Sequence, residues 1–290
     1  MINILVTGSH GQVGSELQVL AKQYPDWRFH FHDRDTLDIT NLDDVVLFFE
    51  KNNINTCINC AAYTAVDKAE SDEATARLVN VIGAKNLAEA CSKQEATLIH
   101  YSTDYVYHGS QNRPFKETDT TSPQGVYAAT KLEGDETVLA TNSRTLVIRT
   151  SWVYSSFGHN FVKTMLRLGR ERDKLTVIFD QTGTPTYARD IAAATLSLLQ
   201  RLDTLDINEV NGVYHFSNEG VTSWYDFAKA IFELSDIECQ VAPIETKDYP
   251  TPAARPHFSV LNKGKIKEVF DIEIPHWRES LKACLEELKT

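Results

Sequence analysis

The sequence predicts an α/β protein, with a doubly wound parallel sheet and a smaller, mixed C-terminal lobe. Three observations lead there. Short apolar runs alternate with segments of helical periodicity over residues 1–150, as in chained βαβ units. The runs are almost continuously apolar, which marks strands buried on both faces of a parallel sheet. After residue 150 the alternation loosens into short elements and proline-bearing loops. The first domain is therefore 1–150, with later returns near 175–202 and 213–217. The second is mainly 151–290, interleaved with the first.

At 290 residues, 42% of them hydrophobic and 24% charged, the chain can bury a large core. A net charge of −11 argues against nucleic acid or an anionic membrane as partner, so an anionic ligand needs local cations and backbone amides. No stretch approaches the length of a membrane span, and no charged leader precedes Ile2–Val6. The five cysteines are odd in number and scattered, as expected of reduced thiols in the cytoplasm. Cys57 and Cys60 have metal-ligand spacing but sit within an expected strand, and no second pair completes a site. They are expected to be packed thiols, with no metal bound.

The first element is the strand Ile2–Val6. Gly8-Ser9-His10-Gly11-Gln12-Val13-Gly14 follows at once and opens a helix. Glycines there let backbone approach a diphosphate, and the helix N-terminus adds free N–H groups and positive potential. Gly8, Gly11, Gln12, Val13 and Gly14 are thus expected to bind a dinucleotide, which makes the sheet Rossmann-type. The second strand, Trp27–His32, ends at Asp33-Arg34. An acid at this point suits the ribose hydroxyls of NADH, and an arginine suits the 2′-phosphate of NADPH. The chain carries one of each, so both cofactors stay open. A brief edge strand at Leu37–Thr40 is expected next, with Asp38 and Ile39 flanking the adenine. Thr56–Ala62 is a strand whose small end residues, Ala61 and Ala62, leave the cofactor room. A long helix is expected from about Glu70 to Lys93, with Asn80 either a buried brace or exposed.

Leu98–Tyr107 reads as a buried strand running out into a polar loop, with the hydroxyls of Ser102 and Thr103 at its carboxyl edge. Ligands of open α/β sheets bind at that edge. A helix near Tyr127–Ala140 follows, in which Tyr127 and Lys131 share a face. A cation beside the phenol is expected to lower its pKa and fit it for proton transfer to a carbonyl or alcohol oxygen. Tyr225 and Lys229 have the same spacing but no such strand before them, and read as part of an ordinary amphipathic helix. Thr145–Thr150 is another strand, which brings Trp152 to the ligand edge. In the lobe, Arg255 among prolines is a candidate clamp for a diphosphate.

Together the glycine turn, Ser102-Thr103-Asp104 and the Tyr127/Lys131 pair resemble the extended short-chain dehydrogenases/reductases. Ala61–Glu70, His100–Val106, Arg149–Tyr154, Asp180–Thr186 and Tyr249–Pro256 extend the resemblance over nearly the whole chain. It implies reduction of a dTDP-sugar: hydride transfer from NADH or NADPH to C4 of dTDP-4-dehydro-L-rhamnose, giving dTDP-L-rhamnose. Tyr127 would donate the proton, Lys131 would hold the nicotinamide ribose, and Thr103 would hydrogen-bond the reacting oxygen. Ala61, Ala62, Tyr63, Asp38 and Ile39 would touch the cofactor, and Thr103, Asp104, Tyr105 and Trp152 the sugar nucleotide. The resemblance also implies a possible homodimer. Magnesium accompanies dimers in some members, but no acidic cluster in this sequence supports it. Alternatives are another nucleotide-sugar 4-ketoreductase or epimerase, and a dinucleotide-binding regulatory subunit like that of methionine adenosyltransferase.

Overall fold

The computed structural model describes residues 2–289. In chain order its longer strands are β1 (Ile2–Thr7), β2 (Trp27–His32), β3 (Thr56–Asn59), β4 (Thr97–Thr103) and β5 (Thr145–Thr150). β6 (Lys174–Ile178), β7 (Gly212–His215) and β8 (Gln240–Ile244) follow. The principal helices are α1 (Gln12–Leu20), α2 (Leu42–Asn52), α3 (Ala84–Lys93) and α4 (Gly125–Thr141). α5 (Phe161–Glu171), α6 (Ala188–Arg201), α7 (Trp224–Leu234) and α8 (Trp277–Glu287) lie in the second half.

Six strands form one parallel sheet in the order β7-β5-β4-β3-β1-β2. Alternation along each strand sorts its side chains to the two faces. Ile4, Val6, Ile58, Ile99, Leu146 and Ile148 join one cluster with Leu17 of α1 and Ile191 of α6. Leu5, Cys57, Leu98 and Val147, one position off, join the other with Val45 and Phe49 of α2, Leu87 of α3 and Val138 of α4. A third cluster builds the lobe from Val162 and Met165 of α5, Phe227 and Ile231 of α7, and Leu281 of α8. Strand order reverses between β1 and β3, where an open α/β sheet leaves a crevice for ligand.

Three expectations about elements change. Leu37–Thr40 is a turn rather than a strand, because the Asp38 carboxylate accepts from both the N–H and the hydroxyl of Thr40, 2.9 and 2.8 Å away. The long helix starts at Glu73 rather than about Glu70, after a short helix at Val66–Ala69, and runs unbroken to Lys93, but with a π-helical turn at Leu78–Gly83 before α3. The strand near residue 175 does not return to the main sheet. As β6 it pairs with β8 in the lobe, whereas α6 and β7 do return. Among the described residues no helix is long and apolar enough to cross a membrane. All five cysteines are free thiols.

Candidate active site

A cavity of about 980 Å³ opens along the carboxyl ends of β1, β3 and β4, between the sheet and the lobe. Gly8 has φ +61°, and a Cβ there would fall 2.6 Å from the Ala61 N, so only glycine permits the crossing of these two strand ends. Gly11 is the N-cap of α1 and supplies no capping side chain, which leaves the first N–H groups of the helix without a side-chain partner. Such a cradle fits a dinucleotide diphosphate. Gln12, Val13, Asp33, Arg34, Asp38, Ile39, Ala61, Ala62 and Tyr63 line the same cavity. Gly14 does not. A Cβ there would meet Gly8 O at 2.5 Å, so its part is to let α1 pack close to the turn.

Tyr63 is fixed from both ends. Its backbone N–H donates to Asn80 Oδ1 (2.8 Å) and its phenol donates to Asp72 Oδ2 (3.0 Å). Asn80 is buried and also donates to Thr130 Oγ1 (3.2 Å), so it is a brace between the π-helical turn and α4. The Asp33 carboxylate is tied to its own turn through Thr36 and Asp35 and to His10 Nδ1 at 2.6 Å, while Arg34 at the rim has no such tie to it.

Deeper in, β4 and α4 present the reactive groups. Thr103 Oγ1 lies 3.1 Å from Asp104 Oδ1 and is hydrogen-bonded to the Tyr127 phenol. Burial pushes Tyr127 up to about 12; the Thr103 hydrogen bond opposes this, and the carboxylates of Asp104 and Asp135 add to it. The expectation that Lys131 lowers the phenol pKa is therefore corrected. The Lys131 amine is engaged elsewhere, donating to Tyr101 O at 2.7 Å, and burial pushes it down to about 8. Tyr127 is thus a phenol that holds its proton until an oxygen of comparable basicity arrives. Asp104 is buried, its Oδ2 has no hydrogen-bond partner, and desolvation pushes its carboxyl up to about 7. Ser102 was expected beside Thr103 as a second donor. It does line the cavity beside Thr103, with its hydroxyl donating to Asp135 Oδ2 (2.9 Å).

Trp152 adopts φ +47° and stacks on Trp224 with ring centroids 3.6 Å apart, forming an aromatic wall of the cavity. Tyr105 also lines the cavity, and its ring meets that of Tyr127 edge-on at 5.7 Å. Arg255 lies outside the lining residues. It holds both oxygens of Asp67, at 2.9 and 2.8 Å, and so straps the lobe to the first domain. Several lining residues were not singled out from the sequence, among them His10, Lys68, Asp72, Gly158, His159 and Trp224. Trp224 had a visible signal, an aromatic at a helix start after the Ser223 cap, but its pairing with Trp152 depends on contacts across the lobe. Tyr225, on the same helix, is not among the lining residues. Among the described residues no group of three or more His, Cys, Asp or Glu could hold a metal ion.

A Rossmann-type sheet with a glycine turn after β1 and a tyrosine and lysine one helical turn apart defines a dinucleotide-dependent reductase or epimerase of short-chain type. More narrowly, the chain belongs to the family of the RmlD substrate-binding domain, whose model matches residues 2–290. It is 40% identical to the dTDP-4-dehydrorhamnose reductase of Aggregatibacter actinomycetemcomitans, over 97% of this chain and 98% of that one. The enzyme of that name from Escherichia coli K12 is also 40% identical, over 100% and 99% of the two chains. The crystal structure of a dTDP-4-dehydrorhamnose reductase from Clostridium acetobutylicum superposes with a TM-score of 0.93 at 41% identity, each chain covered completely. One from Bacillus anthracis, in complex with NADP, does so with 0.93 at 35% identity, covering 99% of this chain and 100% of that one.

Proposed function

We propose that this protein reduces the C4 keto group of dTDP-4-dehydro-β-L-rhamnose with NADPH or NADH, giving dTDP-β-L-rhamnose. The observation that carries the reading is one cavity holding both the glycine cradle after β1 and the Thr103–Tyr127 hydrogen-bonded pair beside Lys131. Full-length similarity to reductases of this name supports the substrate, and the NADP complex of one relative supports the cofactor. Asp33 and Arg34 together suit either form of the cofactor.

The bound reduced nicotinamide would supply the hydride. The N–H groups of the α1 first turn would hold its diphosphate, and Lys131 its ribose. As hydride reaches C4, negative charge grows on the keto oxygen. Tyr127 would meet that charge with its proton, and Thr103 would hydrogen-bond the same reacting oxygen. The elevated pKa keeps the Tyr127 phenol protonated at neutral pH, and an alkoxide, which is still more basic, can take that proton. Asp104, Tyr105 and Trp152 would set the sugar ring and the dTDP against this pair. The cytoplasm, with the five cysteines reduced, and a homodimer complete the reading.

The test is NAD(P)H oxidation with enzymatically made keto sugar, wild type beside Tyr127→Phe, with the product identified. Wild type should form dTDP-L-rhamnose. The variant should lose about 10²- to 10⁴-fold in kcat while retaining cofactor affinity, since only a proton donor is removed. Wild type without turnover on this sugar would overturn the substrate, and unchanged turnover in the variant would overturn the donor.

A further inference from the structure

Beneath Lys131 lies a buried polar chain that the proposed chemistry does not use: Thr7 on β1, Asn59 on β3 and His100 on β4. Asn59 Oδ1 accepts from the Thr7 hydroxyl at 2.8 Å and from the Ala61 N–H at 3.1 Å. Two donors on one oxygen fix the orientation of the amide, so Asn59 Nδ2 is the atom facing His100 Nδ1, 3.0 Å away. An amide nitrogen only donates, so His100 Nδ1 must accept. The neutral imidazole then carries its proton on Nε2.

That N–H does not point at an ordinary acceptor. His100 Nε2 is 3.3 Å from Lys131 Nζ and 3.8 Å from Asp135 Oδ1, an oxygen with no hydrogen-bond partner of its own. We infer that His100 is a positioning residue for Lys131: locked by Asn59 as the Nε2–H tautomer, it turns a donor toward the lysine amine and so weakens the hold of Lys131 on its proton. An ammonium and an imidazole N–H are both donors and repel across this gap. The neutral amine, in contrast, accepts the same N–H through its lone pair.

Of the other groups around the amine, the Asp135 carboxylate opposes this effect by favouring the ammonium. On its own helix, α4, Lys131 faces Tyr127 and Asp135. The Oδ2 of Asp135 is already taken by Ser102 and by Arg149 Nε of β5, at 2.9 and 3.1 Å. From β4 come the Tyr101 carbonyl and His100. His100 is 1% exposed, and burial, with the Lys131 charge second, holds it well below its ordinary pKa, so it remains neutral while Lys131 titrates. His100 therefore helps to set the pH above which Lys131 loses its charge.

The inference rests on the reductase reading only for its relevance to turnover, and the test does not require turnover. ¹⁵N shifts of histidine-labelled, ligand-free protein report the tautomer, and the ¹³Cε shift of Lys131 reports its titration. Wild type should show His100 neutral at pH 7 with its proton on Nε2. In Asn59→Asp the new carboxylate accepts from Nδ1, the proton moves there, and Nε2 becomes an acceptor for the ammonium. Lys131 should then titrate about one pH unit higher. His100→Met, which removes the donor without adding a charge, should raise it in the same direction and serves if Asn59→Asp does not fold. His100 protonated on Nδ1 in wild type, or a Lys131 titration unmoved in His100→Met, would overturn the inference. Absence of keto-sugar reduction alongside the expected shifts would count against the proposed function alone.

Discussion

Asp104 shows how much one atom weighs in this site. Its Oδ1 faces the Thr103 hydroxyl, its Oδ2 is buried without a partner, and the residue is 2% exposed. Burying an ionised carboxylate is costly, so the native state binds the Asp104 proton more tightly than the unfolded chain does, up to about pH 7. The sign follows directly. A carboxyl whose folded pKa is raised contributes most stability below the unfolded value of about 4, and that contribution disappears as pH rises through 7. An asparagine has nothing to ionise. Urea unfolding of wild type and Asp104→Asn at pH 4 and pH 8 should therefore show the variant gaining roughly 3–4 kcal/mol relative to wild type at the higher pH. An offset equal at both pH values would mean that Asp104 keeps its charge when buried. The residue was legible as a site member from its place after Ser102-Thr103, whereas its elevated pKa comes from burial in the folded site, which a hydrogen bond from Ser259 of the lobe partly offsets.

Between elements, the closest packing falls where α4 crosses the π-helical turn before α3. A Cβ on Gly134 would lie 2.3 Å from the Asn80 carbonyl oxygen, so the two helical segments meet backbone to backbone. Asn80 in turn holds the Tyr63 backbone and Thr130, one residue from Lys131. Gly134→Ala should push the segments apart, costing about 1–3 kcal/mol in denaturant unfolding and weakening cofactor binding through Tyr63. A fully stable variant with unchanged cofactor affinity would show that the turn yields freely. This junction also marks the limit of sequence reasoning. The apolar runs of β1 to β5 and the Tyr127–Lys131 spacing were readable because they are local patterns. The π-helical turn was not, since Leu78–Gly83 has ordinary helical composition and its extra residue per turn answers to packing against Gly134. For the same reason Leu37–Thr40 looked like a strand by hydrophobicity alone, when a hydrogen bond from Thr40 to Asp38 decides its shape.

At the scale of the molecule, the lobe is anchored on α1, the helix that the glycine turn leads into. Glu16 of α1 is completely buried. One of its oxygens accepts from the Ser155 hydroxyl at 2.6 Å and the other from Arg189 Nε at 2.9 Å, and Arg189 pairs as well with Glu287 of α8. Gln12, at the head of α1, donates to Val153 O and accepts from Asn160, at 3.3 and 2.9 Å. The links from Gln12 and Glu16 span more than a hundred residues of sequence, which is why the lobe read as an irregular second half while its attachment could not be seen. Trp152 and Trp224 line the cavity together with residues at the ends of the main-sheet strands, so both halves of the chain contribute to one site. A buried carboxylate that loses its cation is left uncompensated. Arg189→Met should therefore destabilise the protein by about 3–5 kcal/mol in urea unfolding. Adding Glu16→Gln should recover much of that loss, because the neutral amide needs no counter-charge, and the departure from additivity measures the coupling. A loss under about 1 kcal/mol in the single variant, or strict additivity in the double, would show that Ser155 and water already satisfy Glu16, and that apolar packing alone holds the lobe to α1.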